Sequence, residues 1–155
     1  MLNASGRADS FNLFLALTYC LWPGTFDVVN ASLTNEGLGP CATTLGRSLT
    51  FVLRQCQQYG KGSATTLVAA AGNKTSAQRL GYPAQLPTAV IATGLDWSGN
   101  DAGYNVSTAT ASGTVQPAFG GTQSDPFGQF VDPNGQQHPM FGTSFAAAVV
   151  TASYL

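Results

Sequence analysis

Two uncharged runs, Thr65–Ala71 (T-T-L-V-A-A-A) and Thr88–Leu95 (T-A-V-I-A-T-G-L), constrain the fold more than any other feature of this chain. Neither alternates apolar with polar residues, so neither reads as a half-exposed strand. Continuous apolar strands belong to parallel sheets covered on both faces. Helical patterns that could provide the cover are present. Phe11, Phe14, Leu15, Thr18 and Leu21 or Trp22 recur at helical spacing, as do Leu45, Leu49, Val52, Leu53 and Cys56 before Gly60. After the Pro23-Gly24 turn, Phe26–Leu33 reads as a short buried strand. Helices alternating with apolar strands predict an α/β domain of three layers, a mainly parallel sheet flanked by helices.

The 155 residues fit one domain, and their charge content narrows its partners. Only 8% of residues are charged and the net charge is −1, against roughly 25% charged residues in ordinary globular proteins. No basic footprint for nucleic acid exists, and no apolar stretch reaches the length of a membrane span. The polar but nearly uncharged surface leads us to expect a secreted or extracellular protein. Cys20, Cys41 and Cys56 allow at most one internal disulfide and form no C-x-x-C pair, so they read as small buried hydrophobes.

From Asp96 to Pro139 the chain is rich in Gly, Asn, Asp, Ser and Pro. Here we expect short antiparallel strands near Tyr104–Ala109 and Thr114–Phe119, and a tight turn at Asp132-Pro133-Asn134-Gly135. His138, in Q-Q-H-P, reads as a solvent-facing loop residue. Gly142–Leu155 is Ala- and Val-rich and predicts an apolar helix. That pattern stops without a Gly, Pro or basic last turn, which suggests that the chain is cut there; we expect a single partial domain over residues 1–155, incomplete at both ends.

Two stretches carry chemistry. In Ala69-Ala70-Ala71-Gly72-Asn73 a strand runs directly into Gly-Asn. An Asn at the C-terminal end of a parallel strand lies where open α/β sheets place their ligands. In Gly142-Thr143-Ser144-Phe145-Ala146-Ala147 a small-residue turn enters a helix. Ser144 there reads as an N-cap, or as a nucleophile beside free N–H groups and a helix dipole that favour negative charge.

In this order, the segments resemble the subtilisin-like serine proteases (subtilases, peptidase family S8) from about Phe11 to Leu155. F-D-V-V-N-A-S-L is similar to the family's D-V-I-N-x-S-L strand, and T-L-V-A-A-A-G-N to its strand ending in A-A-G-N. G-Y-P-A-Q-L-P-T-A-V-I-A-T-G resembles Y-P-A-x-x-P-x-V-I-A-V-G, and G-T-S-F-A-A resembles the nucleophile motif. The resemblance implies that Ser144 attacks the scissile carbonyl and that Asn73 donates to the oxyanion alongside the Ser144 N–H. It implies that Ser32, Leu33 and Thr34 pair with an extended peptide. Ala70, Ala71, Gly72 and Gly81 would line a wide apolar pocket for the residue before the cut.

The resemblance also defines what to look for elsewhere. Subtilases order their triad Asp, His, Ser, so the first two should precede Phe11. His138 stands in the wrong place for the base, and Asp9 and Asp27 lack the family's D-T/S-G context. We expect an upstream segment or another chain to supply Asp and His, and a catalytically inactive peptide-binding module is the alternative. The expected partner is a protein or peptide substrate. Ala148 and Val149 stand where the family usually has Pro followed by His. No metal ligands stand out. Structural calcium is an option by resemblance only, because Asp96, Asp101, Asp125 and Asp132 form no dense acidic loop. Lys74, directly after Asn73, could favour acidic substrate side chains.

Overall fold

A computed structural model describes residues 10–22, 26–34, 40–59, 65–73, 80–109 and 111–155. The chain divides into two compact units, Met1–Val29 with Gly37–Thr66, and Asn30–Glu36 with Leu67–Leu155. In the first, helices α1 (Ser10–Leu21) and α2 (Pro40–Tyr59) pack together. Helix α1 forms where the apolar spacing predicts it, but the buried face differs. Leu17, Leu21 and, on α2, Cys56 are buried, whereas Phe11, Leu15 and Trp22 are exposed. The regularity of α1's apolar residues extends around most of the helix, so spacing alone did not select the inward face. Thr66 N–H donates to the Asp27 carbonyl (2.8 Å), and Thr65 Oγ1 to the Phe26 carbonyl (2.7 Å).

The predicted strands are present as β1 (Val28–Ala31), β2 (Thr66–Ala70) and β3 (Ala89–Leu95). With β4 (Thr114–Phe119) they form one four-stranded sheet in the order β1-β2-β3-β4. β2 pairs parallel to β3 from Leu67–Ala89 to Ala70–Ala92, and β3 parallel to β4 from Val90–Thr114 to Leu95–Phe119. Leu67, Val68, Ala69, Ala70, Ile91 and Ala92 are buried, as uninterrupted apolar strands require. Helix α3 (Thr143–Ala152) lies against β3 and β4, its buried side made of Thr143, Ala146, Ala147 and Val150. Small side chains let this helix approach the sheet closely. The result is an α/β fold around a parallel sheet.

Three expectations are corrected. Thr114–Phe119 is a strand, but parallel to its neighbour. The connection 96–113 is long enough to carry the chain back to the starting end of the sheet, the crossover that parallel pairing needs. Tyr104–Ala109 is not a strand; Asn105 makes only an isolated bridge to Asn73. His138 lies on a strand, not in a loop. It belongs to β6 (Gln137–Met140), antiparallel to β5 (Gly128–Val131), with His138 opposite Phe130. The Asp132–Gly135 turn joins them as predicted, but these strands carry too little apolar contrast to stand out in the sequence.

Candidate functional site

The site is built where β2 ends and α3 begins. Ala71 N–H donates to the Ala92 carbonyl (2.9 Å), still following the sheet. At Gly72 the backbone turns into positive φ (97°), which a residue without Cβ adopts freely. Gly72 N–H, now buried, donates to Thr143 Oγ1 (3.1 Å). Its carbonyl accepts from Val106 N–H (3.2 Å). A Cβ at this position would stand 3.3 Å from Val106 Cγ2 and 3.4 Å from Thr34 Cγ2, so Thr34 packs directly against this bend.

Asn73 then leaves the sheet and faces the first turn of α3. Its Oδ1 accepts from Thr143 N–H (3.0 Å) and from Thr143 Oγ1–H (3.3 Å). A backbone N–H can only donate, so it fixes which end of the amide faces the helix. The Nδ2 group is thereby left as a donor with no hydrogen bond among the described residues. Gly142 makes the approach possible. It caps α3 with φ 137°, and a Cβ there would fall 2.8 Å from Asn73 Nδ2 and 3.0 Å from Oδ1.

Ser144 is the second residue of α3 and not its cap, since Gly142 holds that position with no side-chain cap bond. The Ser144 N–H lies in the first turn, where α-helices have no internal acceptor to offer. Its hydroxyl donates to the Ser32 carbonyl (3.0 Å), and Ser32 Oγ donates back to the Ser144 carbonyl (2.8 Å). Two unpaired donors and a hydroxyl at a helix N-terminus are a set able to attack a carbonyl and hold the charge that develops on its oxygen.

The family model of the subtilase family (peptidase S8) matches residues 9–154. The chain belongs to the subtilase family. Among solved structures, it is similar to the patellamide maturation protease PatA, with 20% identity and a TM-score of 0.64 over 96% of this chain and 49% of that one. It is also similar to the prenylagaramide maturation protease PagA, with 18% identity and a TM-score of 0.62 over 97% and 50%. A third, the patellamide maturation protease PatG, gives 17% and 0.63 over 92% and 39%. At such identities these likenesses speak for the fold. The chain spans about half or less of the length of these structures. No curated protein matches the sequence.

In this subtilase the residues singled out in the sequence fall into three groups. Ser32, Asn73 and Ser144 meet at the start of α3, with Gly72 and Thr34 directly behind Asn73. Leu33, beside them in sequence, is 40% exposed. Ala70 and Ala71 are fully buried, and Gly81 is buried in the segment that precedes β3. Lys74 lies outside the described residues. Cys20 and Cys56 are free thiols, and burial pushes the Cys56 thiol up.

The sequence reading missed the residues that hold the site in place. Thr143 is 1% exposed and joins Gly72 to Asn73; its only signal was its place inside G-T-S. Asn105 is buried and bonds both ways to Gly94, Oδ1 accepting from its N–H (2.7 Å) and Nδ2 donating to its carbonyl (2.8 Å). That clip fixes the segment that runs beside Gly72 and Asn73. Tyr104 fills the space left by Gly94 and Gly120. Burial raises its phenol, and the charge of Asp101 adds to the rise.

Among the described residues no three His, Cys, Asp or Glu converge. The loop carboxylates are engaged locally instead. Asp96 accepts from Ser98 and Asn100 N–H, Asp101 from Gly103 N–H, and Asp132 from Asn134 and Gln136 N–H.

Proposed function

We propose that this chain contributes the nucleophile and the oxyanion site of a serine endopeptidase. Ser144 Oγ attacks the scissile carbonyl and becomes acylated. Asn73 Nδ2–H and Ser144 N–H donate to the oxyanion of the tetrahedral intermediate. An extended substrate pairs along Ser32–Leu33–Thr34, adding main-chain hydrogen bonds that do not depend on side-chain identity. Ala70, Ala71, Gly72 and Gly81, all buried, supply only small side chains behind the position of the residue before the cut. The observation that carries this reading is the Thr143 N–H bond to Asn73 Oδ1, which turns the amide nitrogen away and leaves it free to donate.

A serine hydroxyl needs a base. His138 makes no hydrogen bond to Ser144, whose hydroxyl donates to the Ser32 carbonyl, and its Nε2 lies instead 3.2 Å from Asp132 Oδ2 in the β5–β6 hairpin. The histidine and its orienting aspartate come from an upstream segment or another chain, and without them residues 1–155 alone do not turn over. A second reading, a peptide-binding module without catalysis, is favoured by one observation. The Ser144 proton is directed to the Ser32 carbonyl and not to a base.

A fluorophosphonate probe separates the two in the protein that includes the Asp and His. Labelling at Ser144, lost in Ser144→Ala, supports the peptidase; a folded protein that takes no label supports the binder. Asn73→Leu should lower kcat by roughly 10²–10³, the cost of removing one oxyanion donor, a figure that comes from subtilisin itself.

A further inference from the structure

We propose that Tyr104 is a positioning residue for the oxyanion donor, acting through Gly142 to hold the Asn73 amide at the angle that stabilising an oxyanion requires. The inference rests on the reading of Asn73 Nδ2 as that donor, and it names what keeps the amide in place.

The Tyr104 ring lies in a slot made by glycines. A Cβ on Gly94 or on Gly120 would overlap the Tyr104 hydroxyl, and the one on Gly120 would also stand 2.8 Å from the Gly142 carbonyl oxygen. The tip of the phenol and the cap of α3 therefore flank the same point, where Gly142 N–H donates to the Gly120 carbonyl (3.0 Å). The Phe141 ring, next to Gly142 in the chain, has its centroid 5.8 Å from that of Tyr104. Gly142 in turn meets Asn73, since a Cβ there would fall 2.8 Å from Nδ2. Tyr104, Gly142 and the Asn73 amide are thus packed in series.

The same segment grips Asn73 from the strand side. Asn105 forms an antiparallel bridge with Asn73 and is clipped to Gly94 by its own amide. Val106 N–H donates to the Gly72 carbonyl (3.2 Å). Residues 104–106 therefore meet the end of β2 with their backbone and the cap of α3 with a ring.

The Tyr104 hydroxyl is buried and has no hydrogen-bond partner among the described residues. What the side chain supplies is the bulk and stiffness of its ring. Close-packed contacts transmit a displacement, because protein interiors hold few voids to absorb it. An oxyanion donor works within about 2.7–3.1 Å of the developing charge, so a small tilt of the amide shows in the rate.

The test measures peptide hydrolysis by the protein that includes the Asp and His, well below each variant's denaturation midpoint. Tyr104→Leu should lower kcat about ten- to a hundredfold, the cost of a misplaced catalytic group, with KM little changed. Tyr104→Phe, which keeps the ring, should restore most of kcat. Phe141→Leu removes only a support of the ring; it should act in the same direction more weakly, and it serves if Tyr104→Leu does not fold. The deciding measurement is Asn73→Leu combined with Tyr104→Leu or Phe141→Leu. The double variant should be no slower than Asn73→Leu alone, because a group that acts by placing an amide has no effect once the amide is gone. Losses that multiply overturn the proposal. So does a rise in KM at constant kcat, or a Tyr104→Phe enzyme as slow as Tyr104→Leu. If Asn73→Leu alone leaves kcat unchanged, the oxyanion reading fails and positioning with it. If Asn73→Leu is slow while Tyr104→Leu keeps full kcat, positioning alone fails.

Discussion

The junction of β2 with α3 and the β5–β6 hairpin lie in the same compact unit yet are held by opposite means. The junction is long-range and buried at its inner side, where Gly72 N–H meets Thr143, although Asn73 itself is exposed: Gly72, Asn73, Gly142 and Thr143 meet across some 70 positions of sequence. The hairpin is exposed and local, tied by Asp132 to residues at most six positions away. Long-range bonds in a dry place leave costly unpaired groups when broken, whereas local bonds in water are exchanged for bonds to solvent. The proposed chemistry is therefore mounted on the part of the unit that tolerates change least.

Substitutions can break this contrast. Gly142→Ala should cost most, about 3–5 kcal/mol of stability, because it adds strain at positive φ to a clash with the Asn73 amide. A denaturation midpoint within error of the parent would show that the junction yields. Next comes Asn105→Ala, expected to lose about 2–3 kcal/mol by stranding the buried N–H of Gly94, whose carbonyl keeps the bond from Ala102 N–H. Its measurement is the same midpoint, with Asn105→Asp as the control that retains one bond. Thr143→Val keeps the shape but removes the acceptor of Gly72 N–H, and should cost about 1–3 kcal/mol. It should also loosen the Asn73 amide, seen as increased side-chain amide exchange by NMR.

The smallest effect belongs to the hairpin. The Gln136 N–H, and after it the His138 side chain, holds the Asp132 carboxyl below the usual carboxylate range. A carboxyl depressed in the folded state stabilises above its unfolded pKa, and that contribution is lost as pH falls through the folded value. Acid should therefore free the Gln136 and Asn134 amides of the hairpin while the junction amide of Gly72 stays protected. Simultaneous loss of both sets would erase the contrast.

The same division explains what could be read in the sequence. The apolar runs at Thr65–Ala71 and Thr88–Leu95 announced β2 and β3, because a buried parallel strand needs apolar residues on both faces. The Asp132–Gly135 turn was legible from local turn chemistry. Ser144 and Asn73 stood out only through ordered family motifs, since neither short stretch distinguishes a nucleophile from a cap, or an oxyanion donor from a turn. Asn105 was illegible. Its role is to satisfy the backbone of Gly94, 11 positions away, and nothing in its neighbours announces that bond. The direction of β4 was misread because turn-rich sequence suggests hairpins, while the length of the connection, and not its composition, reveals a crossover.

One atom of the Asn73 side chain is anchored to the helix and the other is not, and this leaves the subtilase open to silent damage. Hydrolysis of that amide to a carboxylate would keep the oxygen that Thr143 requires, so folding and thermal resistance would survive unchanged. In the proposed role of Asn73 as an oxyanion donor, the unanchored end would meanwhile carry negative charge and repel the intermediate. Such a molecule would pass every test of structural integrity and fail only when asked to react.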